Sequence, residues 1–249
     1  MKILAVAMCV LAVGNHWTGR LQEQTGAPVA PTGADACPLA PAHQGNVRPE
    51  AWRIEENVYN NDFYGLRYEF PKGWFIDKAL MENDANQKKQ HASRPDPKDP
   101  MYGVWLDIQC GHLLLAVSRD DWKTTGGEDR GMGITHILLN VSDVVFRHNI
   151  TTAKDLLNSR KESLRETSQV VREPADYVFD GQLFSRMDLK ETALPVMERG
   201  GKIRSPGGTV YEAEIIGVRN GYWIEFDFAA DSLQELEELF QTLDSLQFK

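Results

Sequence analysis

The strongest constraint on this chain lies near its C-terminus. Residues 210–218 and 222–228 are two runs rich in strand-forming side chains, joined across Asn220-Gly221. That dipeptide supplies the positive φ angles of a two-residue type I′ hairpin turn. Directly after it, Ser232-Leu-Gln-Glu235 has the spacing of a capping box, which satisfies the first free N–H groups of a helix. Leu233, Leu236, Leu239, Phe240, Leu243 and Leu246 then recur on one helical face, with acids on the other, so a helix is expected over 232–246. A hairpin followed at once by an amphipathic helix has to bury that helix on a sheet.

The same reading extends upstream. Residues 177–179 and 182–189 flank Asp180-Gly181, a second hairpin turn of the same chemistry. Leu66, Tyr68 and Phe70 alternate with Arg67 and Glu69, a half-buried strand stopped at Pro71-Lys72-Gly73. Short apolar strands are expected over 104–109 and 113–118, a strand pair within 134–147, and a turn at Gly200-Gly201 between Val196 and Ile203. Thr152 with Asp155 resembles a helix start, and Ala153, Leu156, Leu157 and Leu164 give the stripe of a helix over 152–167. Residues 78–91 are polar and at best helix-prone, and 91–100 carries three prolines in an exposed loop. The expected class is α+β: a mainly antiparallel sheet of hairpins with helices packed against it.

The N-terminal part reads differently. Met1-Lys2 precedes an apolar run over 3–13 that closes at Gly14, the pattern of a secretory signal peptide with cleavage after Gly14. The run is too short for the roughly 20 residues of a membrane span. Residues 15–56 hold five of the twelve prolines and no apolar period, so a disordered linker is expected there and a single folded domain over 57–249. The expected location is secreted or periplasmic. Without the signal peptide, Cys37 and Cys110 remain. In an oxidising compartment they could pair and staple the linker to the domain; alternatively they are unrelated thiols, with Cys110 a small buried hydrophobe.

Tyr59-Asn-Asn-Asp62, Tyr64-Gly65-Leu-Arg-Tyr68 and Phe70-Pro71-Lys-Gly73-Trp74 resemble the opening of PsbP/Mog1-like domains. The ending, from Gly221-Tyr222 through Ala229-Ala230-Asp231-Ser232 to Ser245-Leu246-Gln-Phe248, is similar to theirs. The resemblance implies an α/β/α sandwich around an antiparallel sheet, with an accessory or binding role rather than an enzymatic one. The matching residues are structural: Gly65 for strand geometry, Pro71 and Gly73 for the turn, Trp74 for packing. No functional residue carries over.

Chemistry is sparse. Lys and Arg number 27 against 36 Asp and Glu, a net charge of -9, which counts against nucleic acid. The six histidines form no metal-ligand spacing, although His112 and His136 lie in neighbouring strand-like runs. The glycine-rich stretch 126–133 lacks the Lys and Ser or Thr of a phosphate loop. Asp120, Asp121, Glu128 and Asp129 match no calcium loop. No nucleophile elbow is present, and neither a cofactor nor a metal is expected. Tyr102 and Trp122 stand beside polar loops as candidate contact residues, together with His112 and His136. The expected function is a non-catalytic accessory module that engages a protein partner in the cell envelope. The competing expectation is an extracytoplasmic hydrolase or small-ligand-binding protein with its site in loops 91–103 and 119–133.

Overall fold

A computed structural model describes residues 52–91, 93–99, 101–120, 135–144, 150–193, 196–197, 203–205 and 208–249. Two hairpins organise it. β7 (Ser168–Phe179) turns into β8 (Gln182–Ala193), and β11 (Gly208–Arg219) turns into β12 (Tyr222–Ala230). Both turns have positive φ at both central residues: 46° and 74° at Asp180 and Gly181, 51° and 84° at Asn220 and Gly221. With β4 (Phe75–Ile76), β5 (Gly111–Ser118) and β6 (His136–Asp143) they form an antiparallel seven-stranded sheet in the order β4-β5-β6-β12-β11-β8-β7.

Alternation along β12 assigns the two faces. Ile224, Phe226 and Phe228 point to the first face, while Trp223, Glu225 and Asp227 point to the second. The first face is covered by helix α4 (Leu233–Gln241), its 3₁₀ extension Thr242–Ser245, and a small sheet of β1 (Trp52–Glu55), β2 (Val58–Asn61), β3 (Leu66–Glu69) and β13 (Gln247–Phe248). Here lies the main core, in which Tyr59, Tyr68, Leu115, Ile137, Phe226 and Leu236 are fully buried. Each such side chain contributes about 1.5–3 kcal/mol by leaving water. Arg186 is buried on this side too, donating to Asp188 at 2.6 and 2.9 Å and lying 3.8 Å from the Phe240 ring. On the second face helix α1 (Lys78–Gln90) packs on β5, and helix α3 (Ala153–Glu162) packs on β7, β8 and β11. The result is an α+β sandwich.

The helix starts follow the capping chemistry. Ser232 accepts from the Glu235 N–H and Thr152 from the Asp155 N–H, both at 3.1 Å. The Glu235 carboxylate reaches back to the N–H of Asp231 at 3.2 Å, one residue before the cap.

Several expectations are corrected. Residues 104–109 are not a strand but part of helix α2 (Tyr102–Cys110). Tyr102, Trp105, Leu106 and Cys110 recur at helical spacing and form one buried cluster, a stripe that the run of apolar letters concealed. Within the region 134–147, the described residues 135–144 hold one strand, β6, rather than a pair. Helix α3 ends at Glu162, five residues early, and Leu164 packs from outside the helix. Helix α4 ends at Gln241, giving way to the 3₁₀ turn, and Leu233 at its start is 48% exposed. The domain begins before 57: Trp52–Glu55 pairs with β2, and Trp52 packs on the core, giving that residue a burial role that composition did not reveal. Strands β9 (Val196–Met197) and β10 (Ile203–Ser205) pair around the expected glycine turn, which lies outside the described residues.

Candidate functional site

The second face carries two features that the main core does not explain. The first is a set of acids. Glu212 and Glu214 on β11 and Glu225 and Asp227 on β12 all project to this face, and Glu214 stands opposite Asp227 in the ladder. From α3, Arg160 donates to Glu214 at 3.0 Å and makes a two-pronged pair with Glu225, one prong at 2.7 Å. Asn140 of β6 donates to Asp227 at 2.8 Å. The other Asp227 oxygen, Oδ1, is buried and accepts no hydrogen bond, and neither is the indole N–H of Trp223 paired.

The charges respond to this crowding. Burial pushes the Asp227 carboxyl well above the usual range; Glu225 and Glu214 add to the shift, while Arg160 and Asn140 oppose it. Burial likewise raises Glu212 to about 7, with Glu191 and Glu214 adding to it. Burial works against the Arg160 charge, but Glu214, Glu225 and Asp227 outweigh it. The arrangement retains protons near neutrality and clamps α3 to the sheet. Among the described residues no group of three His, Cys, Asp or Glu side chains is placed to hold a metal ion. The sequence signal for these acids was Glu-x-Glu and Glu-x-Asp set at period two within otherwise apolar strands.

The second feature is an exposed aliphatic row. Val178 on β7 stands opposite Leu183 on β8, and Val218 on β11 lies one rung past the Gly217–Phe184 pair, beside Leu183. The three are 66%, 60% and 41% exposed. They lie at the hairpin-turn end of the sheet and continue the buried row that holds Trp223. The edge strand β7 carries Pro174 and two register shifts, which block pairing with another strand. The apolar contact area therefore lies on the face, not along the edge.

The expected contact residues are scattered. Tyr102 is not a surface anchor: it is buried at the start of α2, with Arg94 donating to its hydroxyl at 2.9 Å. Trp122 lies outside the described residues. His112 is buried opposite Val141, whereas His136 stands opposite Ser118. Those positions are five residues apart along β6, about 17 Å at strand rise, so the histidines do not share a site. Of the alternative site loops, 102–103 belongs to α2, and 121–133 lies outside the described residues. Cys110 is disulfide-bonded, and Cys37 lies outside the described residues. Among the described residues no helix is long and apolar enough to cross a membrane.

No protein-family model matches the sequence, and no curated protein matches it. Among solved structures, the chain is similar to the solution structure of cyanobacterial PsbP from Synechocystis sp. PCC 6803. The identity is 11%, the match covers 84% of this chain and 98% of that one, and the TM-score is 0.40.

Proposed function

We propose that this protein is an extracytoplasmic, non-catalytic accessory module that engages a protein partner in the cell envelope through the row Val178, Leu183 and Val218. The observation that carries the reading is the adjacency of three exposed aliphatic side chains on three strands. Apolar side chains gathered on a sheet face gain by being covered, and a row of this size suits a modest, reversible contact. The disulfide at Cys110 and the signal-like start at Met1-Lys2 support an oxidising compartment.

The test replaces Leu183 with a photo-crosslinking amino acid and captures neighbours from the envelope fraction of the source cell. One discrete protein should cross-link from position 183 and from 178. Capture should be lost in V178D/L183D, whose melting temperature should stay within about 2 °C of the parent, because these sites are exposed. Equal capture by V178D/L183D would remove the row from the interface. No cross-link, together with a small-molecule panel that shifts the melting temperature, would favour a ligand-binding function instead.

A further inference from the structure

The end of α2 forms a satellite of the fold. Tyr102, Trp105, Leu106 and Cys110 are 8%, 7%, 3% and 1% exposed, yet they make a cluster of their own, separate from the main core. Polar contacts steady it: the Trp105 indole N–H and the Gln109 amide donate to the His91 carbonyl at 2.7 and 3.2 Å. The Arg94 guanidinium lies 5.5 Å from the Tyr102 ring centre and 5.9 Å from that of Trp105. A nine-residue helix is marginal by itself, so its order depends on what packs against it and on any covalent tie.

Cys110 is that tie, being disulfide-bonded. The chain holds three cysteines, so within one molecule its partner is Cys9 or Cys37. Cys9 stands inside the apolar run of the signal-like segment, which export removes. We infer that Cys37 and Cys110 form an intramolecular disulfide, which ties the N-terminal segment covalently to the end of helix α2. The bridge spans 73 positions, a long loop whose closure removes much of the freedom of the unfolded chain. It forms by oxidation: the two thiols lose two protons and two electrons to a disulfide-carrying oxidant, which leaves as its dithiol.

The inference draws on the extracytoplasmic reading for the source of that oxidant and for the removal of Cys9 with the signal-like segment. The protein is therefore refolded in a glutathione redox buffer, where the outcome does not depend on location. Alkylation of free thiols in denaturant, digestion without reductant and mass spectrometry should find the Cys37 peptide joined to the Cys110 peptide. The joined mass is about 2 Da below the sum of the thiol forms, because two hydrogens are lost. C37S and C110S should each melt about 5–15 °C lower, as should the reduced parent, and the double variant should be no worse than either single one. Complete alkylation of both cysteines, a Cys9–Cys110 peptide pair or an intermolecular pair would each overturn the assignment. The peptide map uses the unmutated chain, so it holds even if the serine variants fail to fold.

Discussion

Glu214 and Asp227 occupy one rung of the β11–β12 ladder and face the same side of the central sheet. Directly opposed like charges are unfavourable, and burial makes them more so. The conflict is resolved by unequal treatment: Arg160 pairs with Glu214, while Asp227 has Asn140 and a raised pKa. One carboxylate is neutralised by an ion pair and the other by a retained proton.

Arg160 is therefore the element on which the second face depends. R160M removes the positive partner of Glu214 and Glu225, leaving two acids 11% and 14% exposed at the side chain without compensation. A loss of about 3–5 kcal/mol is expected in urea unfolding. R160M/E214Q/E225Q should recover most of that loss, because no buried charge then remains unpaired at the clamp. A loss below about 1 kcal/mol in R160M would mean that water already reaches the site.

The pH dependence follows from Glu212. Its folded pKa of about 7 lies above the ordinary glutamate value, so the folded state holds the proton more tightly than the unfolded chain. Stability from this group is full below about pH 4.5 and falls as pH rises toward 7, by at most about 3 kcal/mol, less where solvent screens the site. E212Q should flatten this descending limb and make the protein more stable than the parent at pH 8. Unfolding curves from pH 5 to 8 decide it, and an unchanged slope in E212Q would assign the limb to other groups, Asp227 first.

The two hairpins and both capped helices were legible because each rests on local chemistry: Asn220-Gly221, Asp180-Gly181, and the Ser232 and Thr152 caps. Helix α2 was not, because the short run 104–109 reads equally as a strand, and only the shared burial of Tyr102, Trp105 and Leu106 distinguishes them. Strand β1 escaped because Trp52 and Ile54 alternate for only four residues beside a proline-rich segment. The aliphatic row was invisible for a different reason. Val178, Leu183 and Val218 come from three strands, and only the register brings them together.

Gly217 tests how tightly β11 and β8 are fitted. A Cβ there would stand 2.6 Å from the Phe184 ring, which packs in the first-face core. G217A should cost about 1–3 kcal/mol by overpacking. F184L makes a cavity of its own, but in G217A/F184L the added methyl enters that space, so the double variant should be more stable than the sum of the single changes predicts. A denaturation double-mutant cycle measures this coupling, about 0.5–3 kcal/mol for residues in contact. Strict additivity would show that the Phe184 ring moves aside freely.

Gly65 makes the closest approach to the C-terminal strand. Its φ is +61°, and a Cβ would stand 2.6 Å from the carbonyl oxygen of Lys249, while the Lys249 N–H donates to the Gly65 carbonyl at 2.8 Å. Two separate costs therefore fall on G65A: the left-handed backbone and the clash with a main-chain atom. Together they should destabilise the domain by about 2–4 kcal/mol, of which the conformational part is roughly 1 kcal/mol. The two parts separate experimentally. Ending the chain at Phe248 removes the clashing oxygen, so G65A should cost only the conformational part in that background. G65N in the chain that retains Lys249 should relieve the conformational part alone, because asparagine tolerates the left-handed region. If G65A costs the same with and without Lys249, the close packing of β13 against this turn does not contribute to the requirement for glycine.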